Sequence, residues 1–273
     1  MISEKVMLPD LNDLKSISPE SIKEFREKGH TLTRGLLNPG EAAVYHDVIV
    51  EAAQKYNTEK RKLEERDTYG KAFLQIMNLW RNDERVKKFV MAKRFAKVAA
   101  DLMGVDNVRI YHDQALFKEP GGGPTPWHQD QYYWPIDSKN TVTMWMPLVD
   151  ITVDMGMLTF ASGSHEKGRI FNFEISDESE KAYSDYVKEN EFPITRATEM
   201  KAGDATWHYG YTMHNAPGNN SETMRSVMTI IYFADGARIH EPQNSWQKKD
   251  LEVWMMNTPV GQVIDTELNP LVL

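Results

Sequence analysis

His128 and Asp130 stand two residues apart in the run Gly121-Gly-Gly-Pro-Thr-Pro-Trp-His128-Gln-Asp130-Gln-Tyr-Tyr-Trp134-Pro135, and on a β-strand that spacing turns both side chains to one face. An imidazole nitrogen beside a carboxylate oxygen makes two ligands for a hard-to-borderline metal. A third from elsewhere would complete a two-His, one-carboxylate facial triad, which leaves coordination positions open for chemistry. The spacing alone is weak support. With 8 histidines and 40 acidic residues in 273 positions, about one such pair arises by chance, and a half-buried histidine beside an exposed acid is the competing reading.

Downstream, Gly203-Asp204, His214 and Arg225 supply a candidate third ligand and a cation. His214 reads as the close of a strand, followed by a polar Pro-Gly-Asn-Asn loop, with the strand from Arg225 expected to run back antiparallel beside it. In that strand Arg225, Val227, Thr229 and Ile231 share one face. An inward arginine needs an anion, because an unpaired buried guanidinium costs several kcal/mol. A small dicarboxylate would answer it through bidentate hydrogen bonds, and a salt bridge to a protein acid is the alternative.

Composition bounds the class. A 273-residue chain with 41% apolar residues can bury one sizeable core, so a single domain over 1–273 is expected. A formal net charge of −8 and a pI near 5.5 argue against a nucleic-acid or anionic-membrane surface. Zero cysteines exclude disulfides and thiolate metal sites, leaving histidine and carboxylates as ligands. The opening MISEKVMLPDLNDL lacks an apolar signal core, and no run approaches bilayer-spanning length. A cytoplasmic protein is the expectation.

The elements that must position these residues follow from capping signals and periodicity. Ser18-Pro19-Glu20 starts a helix that Gly29 stops. His30 to Leu37 reads as a strand, and Asn38-Pro39-Gly40 opens a second helix with Tyr45, Val48, Ile49, Ala52 and Tyr56 on one stripe. The charged run 57–67 reads as a solvated loop without function. Lys71 to Trp80 reads as a strand, and Asn82 as the cap of one helix reaching Gly104, so 1–105 is expected to be mainly helical. From Val108 the period becomes two, in VRIYHDQALFK, TVTMWMPLVDI, GMLTFAS, GDATWHYG and RSVMTIIYF. Such strands without intervening helices indicate an antiparallel sandwich or barrel over 106–235. An acidic, helical surface insert is expected at 174–191 and a flap at 236–273, with Trp246 and Trp254 packing in its core.

Taken together, these residues resemble the phytanoyl-CoA dioxygenase family of Fe(II)- and 2-oxoglutarate-dependent oxygenases. The likeness rests on His128-Gln-Asp130 in its Trp-His-Gln-Asp-x-x-Tyr-Trp-Pro setting, the strand ending in Trp145, Gly156-Met-Leu-Thr-Phe-Ala-Ser-Gly-Ser-His165, Gly203-Asp204, His214, and Arg225 eleven residues later. It spans about residues 70–235. The resemblance implies a mainly β fold with flanking helices, a double-stranded β-helix (jelly roll) with the N-terminal helices packed on one sheet. It implies iron on His128, Asp130 and His214, Arg225 gripping the distal carboxylate of 2-oxoglutarate, and Trp145 lining that pocket. Gln75 and Asn78 lie on the segment that in the family also reaches the cosubstrate. Members often carry a serine two residues after the distal histidine. Here that place is Ala216, leaving Thr143 or Thr159 to supply the hydrogen bond.

The implied reaction couples decarboxylation of 2-oxoglutarate to succinate and CO2 with O2-driven hydroxylation of an unactivated C–H bond in a small molecule. Halogenating relatives replace the acid, so Asp130 favours an oxygen-derived outcome. Tyr132, Tyr133, Trp134, Trp207, Tyr209 and Tyr211 suggest an aromatic-walled cavity. Gln114 and His112 share a strand face toward it, and His208 is read as substrate-facing or supporting a ligand. His165 reads as a turn-holding residue, and Lys118 as lying near the mouth. Two other classes use the same pattern: a non-redox, metal-dependent jelly-roll isomerase or hydrolase, and a carbohydrate-binding jelly roll that stacks sugar on Trp127 and its neighbouring aromatics.

Overall fold

Ser18 accepts a hydrogen bond from the Ser21 N–H and Gly29 turns left-handed at φ 81°, so α1 (Pro19–Lys28) has both of the ends its sequence signals. A computed structural model describes residues 7–171 and 175–273. After α1 come β1 (His30–Thr33), α2 (Pro39–Tyr56), α3 (Thr68–Ala72), β2 (Leu74–Met77), α4 (Glu84–Val90) and α5 (Lys93–Met103). The central strands are β3 (Val108–Lys118), β4 (Thr125–His128), β5 (Thr141–Pro147), β6 (Ile151–Thr152) and β7 (Thr159–Ala161). The chain continues through α6 (Asp177–Glu189), β8 (Ile194–Arg196), β9 (Glu199–Met200), β10 (Ala205–Tyr209), β11 (His214–Ala216), β12 (Arg225–Ala234) and α7 (Ser245–Trp254).

Two antiparallel sheets make the jelly roll, one of six strands in the order β1-β10-β5-β12-β3-β2 and one of four in the order β4-β11-β7-β8. Alternation divides the large sheet cleanly. Val142, Met144 and Met146 of β5 and Met228, Ile230 and Tyr232 of β12 join one core with α2, α4 and α5. The residues between them, Thr143, Trp145, Thr229 and Ile231, line a cavity on the other face. The N-terminal helices therefore cover one side of the sheet and leave the other for chemistry.

The N-terminal region is mainly helical, as expected, and its two strands, β1 and β2, form both edges of the large sheet. Lys71 and Ala72 belong to α3, so the strand expected from Lys71 begins only at Leu74. The helix expected from Asn82 to Gly104 is two helices, with Asp83 as the first cap. The backbone is extended at Ala92, which lets buried Arg94 reach Glu41 at 2.7 Å and places the Arg94 N–H on the Leu11 carbonyl. In the charged run, Arg66 is buried and paired with Glu119, and Asp67 lines the cavity. The insert α6 is not a surface appendage: Tyr183 is fully buried and packs with Trp127 of β4. Residue 174, the expected start of the insert, lies outside the described residues. No helix among the described residues is long and apolar enough to cross a membrane.

Candidate active site

His214 is the antiparallel register partner of His128, linking β11 to β4. It opens its strand, where the sequence suggested that it closed one. The preceding strand, β10, belongs to the other sheet. Each ring is oriented by its own backbone: His128 Nδ1 lies 2.8 Å from the Pro126 carbonyl and His214 Nδ1 lies 3.0 Å from the Thr212 carbonyl. A carbonyl only accepts, so each Nδ1 carries a proton and each Nε2 is turned toward the site. Burial, with the neighbouring His128 and His208 rings, holds the His214 pKa well below the usual histidine range. That is the form a metal ligand needs.

Asp130 lies just past the end of β4, on a 3-10 turn, but extended Gln129 preserves the expected alternation. Its Oδ1 is 3.4 Å from His128 Nε2 and 3.6 Å from His214 Nε2. Ligating atoms of the three residues all lie within 4.8 Å of one another. The other carboxylate oxygen accepts from Thr143 Oγ1 at 2.9 Å and lies 3.2 Å from His208 Nε2. Burial opposes ionisation of Asp130, but the surrounding imidazoles, His214 foremost, then His128 and His208, hold its pKa well below the usual carboxylate range. Thr143 therefore supports the acid, rather than offering the free hydroxyl expected for a cosubstrate.

Arg225 is 2% exposed. Its strand does not lie beside β11, as expected, but pairs with β3 and β5 in the larger sheet, so the cation and the β11 imidazole come from different sheets. The guanidinium donates to the Gly156 carbonyl and sits 5.3 Å from the Trp145 ring centroid. Its Nε is buried without a partner, and among the described residues no acid pairs with it. Burial lowers its pKa to about 9. Gly156 sits at φ 81°, and a Cβ there would meet the Pro217 carbonyl at 2.6 Å and Arg225 Nη1 at 3.3 Å, so only glycine leaves the guanidinium its place.

A cavity of about 770 Å³ joins these groups, with Gln75, Gln114, His112, Tyr133, Trp134 and His208 on its wall. Gln75 Nε2 donates to Gln114 Oε1 at 2.9 Å. Three expected contributors stand elsewhere. Asn78 is buried and accepts from Trp80 Nε1 at 3.1 Å. Tyr132 is buried outside the lining, and its carbonyl accepts from Gln247. Thr159 lies on a separate surface pocket beside Asn215. Nor is Lys118 at the mouth: it is fully buried and donates to the Gly123 carbonyl.

Trp246 and Trp254, expected in the core, line the cavity together with Asp250. Asp250 stands four residues from each, so the three share one helical face, a signal that the reading as a core-packed flap left unused; Trp254 also packs against a buried cluster. Thr125 was also missed. It lines the cavity and is the cross-strand partner of Ala216.

Residues 25–227 match the family model described as Phytanoyl-CoA dioxygenase (PhyH). The chain belongs to the phytanoyl-CoA dioxygenase family. A protein of Stutzerimonas stutzeri named a probable alpha-ketoglutarate-dependent hypophosphite dioxygenase is 23% identical over 233 residues, 80% of this chain and 79% of that one. The solved structure of the carbocyclase SnoK from nogalamycin biosynthesis superposes with a TM-score of 0.78 at 23% identity, covering 94% of this chain and 97% of that one. The epimerase SnoN, solved with Fe3+, alpha ketoglutarate and nogalamycin RO, gives 0.75 at 22% identity, covering 93% and 98%. These likenesses carry the jelly-roll fold.

By family the chain is a 2-oxoglutarate-dependent dioxygenase of the non-haem iron class, and its donor set fits that cofactor. Two imidazoles and one carboxylate suit iron(II), and an orphaned guanidinium in the same cavity suits a dicarboxylate. A sugar platform would expose its aromatics, whereas Trp127 and Tyr132 are each 7% exposed.

Proposed function

We propose that His128, Asp130 and His214 hold the iron and that the protein hydroxylates a C–H bond of a small molecule bound in the cavity. Arg225 grips the far carboxylate of 2-oxoglutarate through charge-assisted hydrogen bonds, and the Trp145 face below restrains the guanidinium. The observation that carries this reading is the buried Arg225, with Nε unpartnered and no acid paired to it among the described residues, on the cavity that holds the three ligating side chains.

Iron and 2-oxoglutarate, once bound, supply the oxidation: O2 is consumed, succinate and CO2 leave, and oxygen is delivered to the substrate. The chain's own part is placement. Thr143 and His208 fix one oxygen of Asp130 so that the other faces the two imidazoles. Thr125, across the ladder from Ala216, offers the hydroxyl that the alanine lacks. Gln75, Gln114, Tyr133 and Trp134 bound the substrate space. One oxygenase domain, with core 106–235 and flap 236–273, carries these parts. A cysteine-free chain suits a cytoplasmic compartment.

The test is 2-oxoglutarate turnover with Fe(II) and O2, read as succinate formed. The wild type converts 2-oxoglutarate slowly alone and faster with an accepted substrate, and His214→Ala protein does not. Normal succinate formation by His214→Ala contradicts the ligand set.

A further inference from the structure

α7 places Trp246, Asp250 and Trp254 on one face, and all three border the cavity. The wall they form continues into Tyr133, whose ring centroid is 5.9 Å from that of Trp246. Asp250 is the notable member. It accepts hydrogen bonds from the Tyr111 hydroxyl and the Trp254 indole N–H, both neutral donors, and no cationic side chain among the described residues forms a salt bridge with it.

This mirrors the situation of Arg225, with the sign reversed. Arg225 pairs in register with Lys118, and His112, beside Tyr111, pairs with Ile231. The two charged groups are therefore associated with points on β3 separated by about 20 Å of strand. One end of the cavity holds a cation that lacks an anion. The other holds a carboxylate walled by indoles, with Lys249 beside it but in no salt bridge.

We propose, resting on the dioxygenase reading, that the substrate carries a basic or quaternary nitrogen seated between the Asp250 carboxylate and the faces of Trp246 and Trp254. Aromatic faces attract ammonium groups through the ring quadrupole. The wall already does so for the chain's own cation, since Lys249 Nζ sits 5.2 Å from the Trp246 centroid. A second carboxylate, Asp67, borders the same space. Burial pushes the Asp250 pKa up to about 7 against the hydrogen bond of Tyr111, the charge of Lys249 and the hydrogen bond of Trp254, so a closer, desolvated cation would also restore its full charge. A phosphorus oxyanion has the opposite requirement. Beyond Arg225, the only lysine or arginine lining the cavity among the described residues is Lys249.

The experiment is calorimetric titration of anaerobic protein loaded with Fe(II) and 2-oxoglutarate. The probes are choline, its neutral isostere 3,3-dimethylbutan-1-ol, and hypophosphite. Choline is expected to bind at least tenfold more tightly than the isostere, with no binding of hypophosphite. Asp250→Asn should abolish the preference for choline while leaving the isostere unaffected. Equal binding of choline and the isostere by the wild type overturns the proposal even if the variant does not fold, and tighter binding of hypophosphite overturns it too. 2-Oxoglutarate binding is followed in the same samples. Absence of a charge preference in the wild type with that binding intact defeats this proposal alone, and absence of metal-dependent 2-oxoglutarate binding defeats the dioxygenase reading beneath it.

Discussion

His128 and His214 face each other directly across an antiparallel ladder, ring centroids 4.2 Å apart. Their separation is set by strand pairing rather than by a loop, so the two candidate nitrogen ligands are as fixed as the sheet itself. The carboxylate then has only to reach a preformed pair.

Metal binding should stabilise this arrangement by mass action. Fe(II) at a hundredfold excess over its Kd contributes about 2.7 kcal/mol, or roughly 5–10 °C in Tm for a chain of this size. Anaerobic thermal melts should show that shift for the wild type and none for His214→Ala. An equal shift in the variant would mean that the metal sits elsewhere.

Thr143 donates to Asp130 at 2.9 Å, so Thr143→Val tests whether the orientation of the acid matters. Iron affinity should fall about 10- to 100-fold, while metal-free stability drops by only about 1 kcal/mol. Unchanged affinity would leave the hydroxyl a packing role alone.

Thr125→Val probes the hydroxyl opposite Ala216. A hydrogen bond to a charged carboxylate contributes about 1.5–3 kcal/mol, so 2-oxoglutarate should bind about 10- to 100-fold more weakly, with iron affinity preserved. Wild-type affinity in the variant would remove Thr125 from the cosubstrate site.

Lys118 gives the fold a pH signature. Burial, and then the charge of Arg225, lower its pKa to about 6 from the ordinary 10.5. Between those values the unfolded chain binds the proton and the folded chain does not, so this site makes stability rise with pH across that window and is unfavourable below it. The slope is at most about 1.4 kcal/mol per pH unit. Denaturant melts from pH 6 to 9 should show Lys118→Met losing that rise relative to the wild type. Parallel profiles would contradict a neutral buried lysine.

The sequence was most informative where side-chain chemistry or period-two alternation spoke locally. Arg225, Thr229 and Ile231 line the cavity as their shared strand face required. What it could not reveal was pairing. Nothing in the polar loop after His214 indicates that the next strand crosses to the other sheet, since partners of β12 such as Gln114 lie far away in the chain. The same holds for α7: Tyr111 and Asp250 are 139 residues apart, and their contact sets the helix face of Trp246 and Trp254 against the cavity. The side-chain oxygens of Asn78 and Thr143, polar residues near the site, are engaged by Trp80 and Asp130, which residue type alone does not disclose.

The central claim, three converging ligands with a cation waiting for the cosubstrate, is tested most directly by titrating 2-oxoglutarate anaerobically into wild-type and Arg225→Ala protein, each with and without Fe(II). The wild type should bind it only when loaded with iron, with a visible charge-transfer absorption. Arg225→Ala should bind it more weakly by about 2–5 kcal/mol, roughly 30- to 4,000-fold. Binding that ignores the metal, or that survives loss of the guanidinium undiminished, would contradict the account.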